Sequence, residues 1–352
     1  MRYLPTSRLT PGMALGQDIY DGAGRLLLGR HILLTEEQIS NLEFLGFPGA
    51  YVDDEFSRGI EIQQIVSPEV QRQALKIVYD LFHMDMRKQE PSEAELKLRK
   101  TVESVVDDVI CNGDIMCNIM DIKSYDDYIY YHSIHVGILS VVVGARLGLS
   151  HDKLCQLAAA ALLHDIGKRF IDHDIVRGGK AHRSEKEQEV YRSHPKIGAE
   201  YLRETCRFPA DVYEGIMEHH ECYNGEGYPL GKKGGGIHLF ARIIRIADCY
   251  DAKVSAFPAQ KSLSPSEALE YVMALGDRWF DPDIVAVFAR KVAAYPIGCE
   301  VELSNGQHAV VARNFENFPL RPLVRVVETG EMLNMRDDEK ARAVTVGRLI
   351  VR

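Results

Sequence analysis

The stretch Leu157-Ala158-Ala159-Ala160-Ala161-Leu162-Leu163-His164-Asp165-Ile166-Gly167-Lys168 runs seven apolar residues straight into a histidine and an aspartate. The apolar run reads as a buried helix segment. Imidazole nitrogen and carboxylate oxygen at its end are ligand types that hold first-row divalent metals. On a helix His164 and Lys168 are four apart and share a face, while Asp165, about 100° round, can reach two ions with its two oxygens. Gly167 is expected to leave room for a ligand. Two metals about 3.5–4 Å apart sharing that carboxylate would activate a bridging water and steady charge developing on a phosphoryl group. Lys168 would then neutralise a phosphate oxygen or protonate the leaving oxygen.

Working outward, the pair joins a series: His132, His164-Asp165, His194, His219-His220 and Asp248, using five of the thirteen histidines. Members recur roughly every thirty residues, about one helix and a turn, so ligands on neighbouring helices converge in a bundle. No cysteine joins them, which marks a catalytic rather than a structural site. His219 and His220 are adjacent, and their side chains face together only at a fraying helix end. Asn224, Gly225 and Gly227 just beyond supply such an end. A lone His-Asp pair would be weak evidence for metal, and two surface histidines a bland alternative; the complete series carries the reading.

Composition sets the frame. The chain has 352 residues, 46% of them hydrophobic, enough to bury a large core over two or three domains. The apolar stretches Ile138 to Val143 and Leu157 to Leu163 fall far short of the roughly 20 residues of a membrane helix, so no membrane span is expected. The N-terminus MRYLPTSRLTPG lacks a signal-peptide apolar stretch. Seven scattered cysteines without a CxxC pair fit a reducing, cytoplasmic setting. A formal net charge of −9 argues against binding a DNA or RNA polymer.

Residues 1–65 alternate short β-like runs with turn signals and form a small N-terminal β-rich module. Residues 66–125 carry helical spacing, as in Ala74, Ile77, Val78, Leu81 and Phe82. They read as a helical connector, either dimerising or, the favoured alternative, simply packed. Residues 126–296 are helix after helix: Leu149-Ser150-His151-Asp152 ends one and starts the next, Pro195 puts His194 near an N-cap, and Ser264-Pro265-Ser266-Glu267 is a capped start. Residues 297–352 change to short strands with Asn305-Gly306 as a hairpin turn.

The segments YYHSIHV, ALLHDIGK, SHPKIGAEYL, EHHECYNGEGYP and ARIIRIADCYDA resemble the HD-GYP family, a branch of the HD-domain metallohydrolases, over roughly half the chain. The resemblance implies a mainly α fold, an HD-domain helical bundle flanked here by small N- and C-terminal β modules. It implies a metal-dependent hydrolase of the bacterial second messenger cyclic di-GMP, acting through a metal-bridging hydroxide, with iron or manganese as cofactor. It maps metal binding onto His132, His164, Asp165, His194, His219, His220 and Asp248, with Asp165 and Lys168 as catalytic residues. Phosphate contact falls to Lys168, and Gly225, Gly227, Tyr228 and Asp251 are placed beside the substrate. A cyclic dinucleotide is the implied partner, with a homodimer and other signalling proteins left open.

Several residues depart from the family pattern. Tyr128 stands where three-metal members carry Glu, and a phenol with a pKa near 10 is a poor hard-metal ligand; two divalent metals and the linear product pGpG are therefore expected. Phe257 and Gln260 replace basic substrate contacts, leaving Lys253 and Lys261 as nearby cations without arginine's bidentate fork. Cys222 and Asn224 replace the usual Arg and Asp. These losses keep two alternatives open: a hydrolase of another cyclic dinucleotide such as cyclic GMP-AMP, or a weakly active nucleotide-binding scaffold. His135 is set aside as a ligand, His173 and His182 are read as exposed, and Arg321 and Arg325 as a surface pair.

Overall fold

In the computed structural model the described residues are 1–84, 91–118, 124, 127–178, 183–255 and 262–350. Phe257, Gln260, Lys261 and His182 lie outside them. The chain opens with β1 (Arg2–Pro5), β2 (Ala14–Leu15), β3 (Ile19–Tyr20), β4 (Leu26–Leu28), α1 (Glu36–Phe44) and β5 (Gly49–Asp53). β1 and β2 flank β5, and β3 pairs with β4. Leu4, Leu15, Leu34, Leu42 and Val52 form a core of their own beneath these strands. A reciprocal Thr35–Gln38 capping box starts α1.

The helical segment resolves into α2 (Pro68–His83) and α3 (Pro91–Cys111), followed by α4 (Tyr128–Arg146) and α5 (His151–Leu163). Leu75 and Val78 of α2 and Val102 and Val106 of α3 share one hydrophobic core with Val136, Leu139 and Val143 of α4 and Leu157 of α5. The connector helices thus pack within the fold. Each fully buried aliphatic side chain of this kind is worth about 1.5–3 kcal/mol relative to exposure. By length and composition α4 could cross a membrane, which the short apolar runs did not suggest, yet 67% of it is buried inside the fold. It serves as the central core helix and carries His132.

α5 starts on the Ser150 side chain, which accepts from the Lys153 N–H, and ends with His164 as its C-cap. A 3₁₀ turn, Ile166–Phe170, follows. Then come α6 (His173–Arg177), α7 (Glu185–Arg192), α8 (His194–Thr205), α9 (Ala210–Glu218), α10 (Leu239–Val254), α11 (Pro265–Ala274) and α12 (Pro282–Lys291). The expected Ser264 start is a full capping box with Glu267.

Strands β6 (Glu300–Leu303), β7 (His308–Arg313), β8 (Leu323–Val326), β9 (Met332–Asn334) and β10 (Val346–Ile350) make an antiparallel sheet in the order β10-β6-β7-β8-β9. Gly306 turns the β6–β7 hairpin at φ 83°. The two β regions meet: Tyr3 N–H donates to the Gly298 carbonyl at 2.9 Å, and Arg2 and Arg8 both reach Glu300, at 3.2 and 3.0 Å. Arg321 and Arg325 are not a free surface pair; both are partly buried, Arg321 donating to the carbonyls of Val344, Ala341 and Arg342 and Arg325 to that of Arg58.

Candidate metal centre

Three histidines arrive by the same local device. His164 closes α5, His219 closes α9, and His194 opens α8 just after α7. Each ring places Nδ1 against the main-chain carbonyl three residues earlier: His164 on Ala161 at 2.7 Å, His194 on Tyr191 at 2.7 Å, His219 on Ile216 at 2.6 Å. A carbonyl only accepts, so Nδ1 carries the proton and Nε2 presents its lone pair inward. Burial lowers the pKa of His164 and takes those of His219 and His220 well below the ordinary histidine value, so these rings are neutral.

The lone pairs converge on Asp165. Its Oδ1 lies 3.2 Å from His194 Nε2 and 3.9 Å from His219 Nε2, and its Oδ2 lies 3.5 Å from His164 Nε2 and 3.9 Å from His132 Nε2. Two ligand groups result, Asp165-His194-His219-His220 and His132-His164-Asp165, each able to offer ligand atoms within 4.8 Å of one another. Asp165 belongs to both. Among the described residues His164 Nε2, Asp165 Oδ1 and His220 Nε2 are buried without a hydrogen-bond partner, and the Nε2 atoms of His194 and His219 face each other at 3.3 Å. Buried unpaired acceptors are costly unless something positive meets them. The residues therefore fit divalent metal.

The remaining side of the cluster is held by carboxylates. His132 Nδ1 lies 2.7 Å from Asp251 Oδ2, and its Nε2 lies 3.2 Å from Asp248 Oδ1. Burial would lower the pKa of His132, but Asp248 and Asp251 outweigh it and raise it to about 9. Asp248 Oδ2 is 3.8 Å from His220 Nδ1, so this carboxylate touches one member of each group. Asp251 is fully buried and its other oxygen takes His135 Nδ1 at 2.8 Å. It orients His132 and is closed to substrate, which corrects its expected place beside the ligand. His135 is likewise an Asp251 partner rather than a metal ligand. Tyr128 stacks on His132, with ring centroids 5.1 Å apart.

Helix α5 stops before the pair, so His164 and Lys168 do not share a helical face. Lys168, three residues on through the 3₁₀ turn, pairs with Asp165 Oδ2. Burial would lower the Lys168 pKa, but Asp165 raises it further, keeping the ammonium charged with its side chain 11% exposed beside the cluster. Gly167 does not make room for a ligand: a Cβ there would fall 2.0 Å from the His194 carbonyl oxygen. Its role is to let α8 pack close and deliver His194. Gly227 is similar, since a Cβ would meet the Cys222 backbone nitrogen at 2.2 Å, and this draws Tyr228 over the cluster to stack on His220 at 4.8 Å. Gly225 turns the loop at φ 88°.

Glu221 passed unassigned in the sequence, although it sits in the quoted EHHE text. Its carboxylate accepts from the N–H groups of Leu230, Gly231 and Lys232 at 2.6, 3.1 and 3.1 Å and anchors the loop. Arg245 carried no signal of its own; folding brings its guanidinium 3.6 Å from Asp248 Oδ2. Lys253 stands over the Tyr271 ring at 4.6 Å, and His173 is exposed as expected.

With the geometry in hand, comparison with known proteins is specific. The HD domain family matches residues 118–284. The cyclic di-GMP phosphodiesterase PA4108 of Pseudomonas aeruginosa is 32% identical over 226 residues, covering 64% of this chain and 54% of that protein. The 3'3'-cGAMP-specific phosphodiesterase 1 of Vibrio cholerae is 32% identical over 165 residues, covering 47% of this chain and 37% of that protein. The chain thus spans about half the length or less of these relatives. Among solved structures, Bd1817, a HDG"Y"P protein from Bdellovibrio bacteriovorus, matches with a TM-score of 0.51 over 82% of this chain and 97% of its own, at 18% identity, a likeness of fold. Motifs, helical bundle and relatives agree that residues 118–284, just under half of the chain, carry an HD domain that resembles the HD-GYP branch.

Proposed function

We propose that the protein is a metal-dependent phosphodiesterase that hydrolyses cyclic di-GMP to linear pGpG, with two divalent ions, iron or manganese, held by His132, His164, Asp165, His194, His219, His220 and Asp248. The single observation that carries this reading is Asp165, one carboxylate common to two ligand groups, beside the buried His164 and His220 Nε2 atoms that lack partners among the described residues. Bound metals would supply water activation and charge neutralisation at a phosphoryl group. The chain's own part is positional. Carbonyls bonded to Nδ1 hold three imidazoles with Nε2 aimed inward. Lys168, charged and held by Asp165, offers a cation to a phosphate oxygen. Tyr228 and the Gly225–Gly227 turn border the cluster where a guanine or ribose would lie.

The two-metal count rests on Tyr128, whose ring lies flat on His132 and adds no carboxylate. In this reading the enzyme acts in the bacterial cytoplasm as part of second-messenger signalling. A second reading, cleavage of cyclic GMP-AMP, is favoured by the relative of that specificity and by Cys222 and Asn224 in the loop. Purified protein prepared without air and loaded with iron or manganese should convert cyclic di-GMP faster than cyclic GMP-AMP and accumulate pGpG. The reverse preference would install the second reading, and no turnover of either with both metals verified would remove the enzyme assignment. Three metals per chain would overturn the two-metal count.

A further inference from the structure

A cavity of about 590 Å³ is walled by the N-terminal module, the segment leading into α2, and α4. Its size falls within the roughly 300–1,000 Å³ of small-molecule sites. Leu75, Ile134 and Ile138 give it apolar surface, and the Tyr131 hydroxyl, donating to the Tyr20 carbonyl at 2.9 Å, closes the seam between module and helix.

The polar lining is what calls for an occupant. Gln17, Gln63 and Gln64 all line this space; Gln63 is exposed and Gln17 half-buried, while Gln64 Oε1 is buried and has no hydrogen-bond partner among the described residues. Native structures seldom leave such an acceptor unmet. The Arg30 guanidinium joins the lining with no acidic partner among the described residues, although the Arg30 backbone N–H donates to Asp18 Oδ1 at 2.6 Å on the same wall, whereas Arg72 is engaged by Glu69 at 2.8 Å. A carboxamide presents a donor and an acceptor side by side, which matches the edges of a nucleobase. A guanidinium matches a phosphate.

We propose that this cavity is a second ligand site, distinct from the metal centre, that binds a purine mononucleotide with its base on the glutamine carboxamides and its phosphate at Arg30. His135 belongs to the same lining, and its Nδ1 is bonded to Asp251, so the occupant sits one carboxylate away from His132.

The test is calorimetric titration of the full, metal-stripped chain with GMP and with AMP, which needs no turnover and stands apart from the phosphodiesterase reading. Saturable one-to-one binding of at least one nucleotide is expected. Gln64→Leu should weaken it about tenfold or more. Arg30→Ala, at an exposed position that leaves the fold intact, should weaken the nucleotide several-fold while leaving the matching nucleoside unchanged. No saturable binding at millimolar nucleotide, or binding that neither substitution alters, would overturn the proposal.

Discussion

The two sides of the metal cluster are built by different means. His164, His194 and His219 take their ring orientation from carbonyls three residues away in their own chain segment. His132 takes its orientation from Asp251, 119 positions distant in sequence. The first arrangement is secured once a helix end forms. The second depends on α4 and α10 packing correctly, and it can be altered by one side-chain change. A site assembled this way has a rigid half and an adjustable half, with Asp165 as the hinge between them.

Removing that common carboxylate should do the most damage. Asp165→Ala is expected to strip both groups of metal and lower turnover by roughly 10³-fold or more, since metals of this kind supply several kcal/mol to the transition state. Metal analysis alongside kinetics checks it, and retained turnover would refute the assignment. On the proposed reading manganese should stabilise the parent protein by about 2.7 kcal/mol at a hundredfold excess over the dissociation constant, and the same variant should lose that stabilisation.

Asp251→Asn probes the adjustable half alone. One amide oxygen cannot accept from both His132 and His135, so metal affinity or activity should fall about 10–100-fold. Loss should be confined to one metal per chain; loss of both would show that the halves are not separable. His135→Gln should cost less, no more than about tenfold, because Asp251 keeps its bond to His132. Tyr128→Phe should be nearly silent, within about twofold in activity, since the hydroxyl lies 3.4 Å from His132 Nδ1, at the limit of a hydrogen bond. A large effect there would mean that the phenol, and not Asp251 alone, sets the imidazole.

This contrast also explains what could be read in advance. The rigid half was legible because its signals are local: an apolar run ending in His164-Asp165, a proline behind His194, and glycines beyond His219-His220. The helix caps at Ser150 and Ser264 were legible for the same reason. Asp251 was misplaced beside the substrate because nothing nearby in sequence reveals that His132 and His135 occupy both of its oxygens. Gly167 was misread for a related reason, as its neighbour is the His194 carbonyl, delivered by another helix. Arg245 and the nucleotide-sized cavity arise only when distant segments meet, and periodicity carries no trace of such meetings. The domain limits at 65, 125 and 296 remain a proposal drawn from composition, while the shared core ties α2 and α3 to α4 and α5.

One consequence concerns charge of a kind that belongs to no side chain. His164 and His219 are C-caps, so α5 and α9 both end at the cluster. Aligned peptide dipoles leave roughly half a negative charge at such an end. The start of α8 at His194 sets about half a positive charge against these two ends, so the backbone leaves a net of roughly half a negative charge where a cation would settle, before any carboxylate is counted. A chain with its acidic ligands neutralised should still draw divalent ions weakly to this point, and that residual attraction should fade as ionic strength rises.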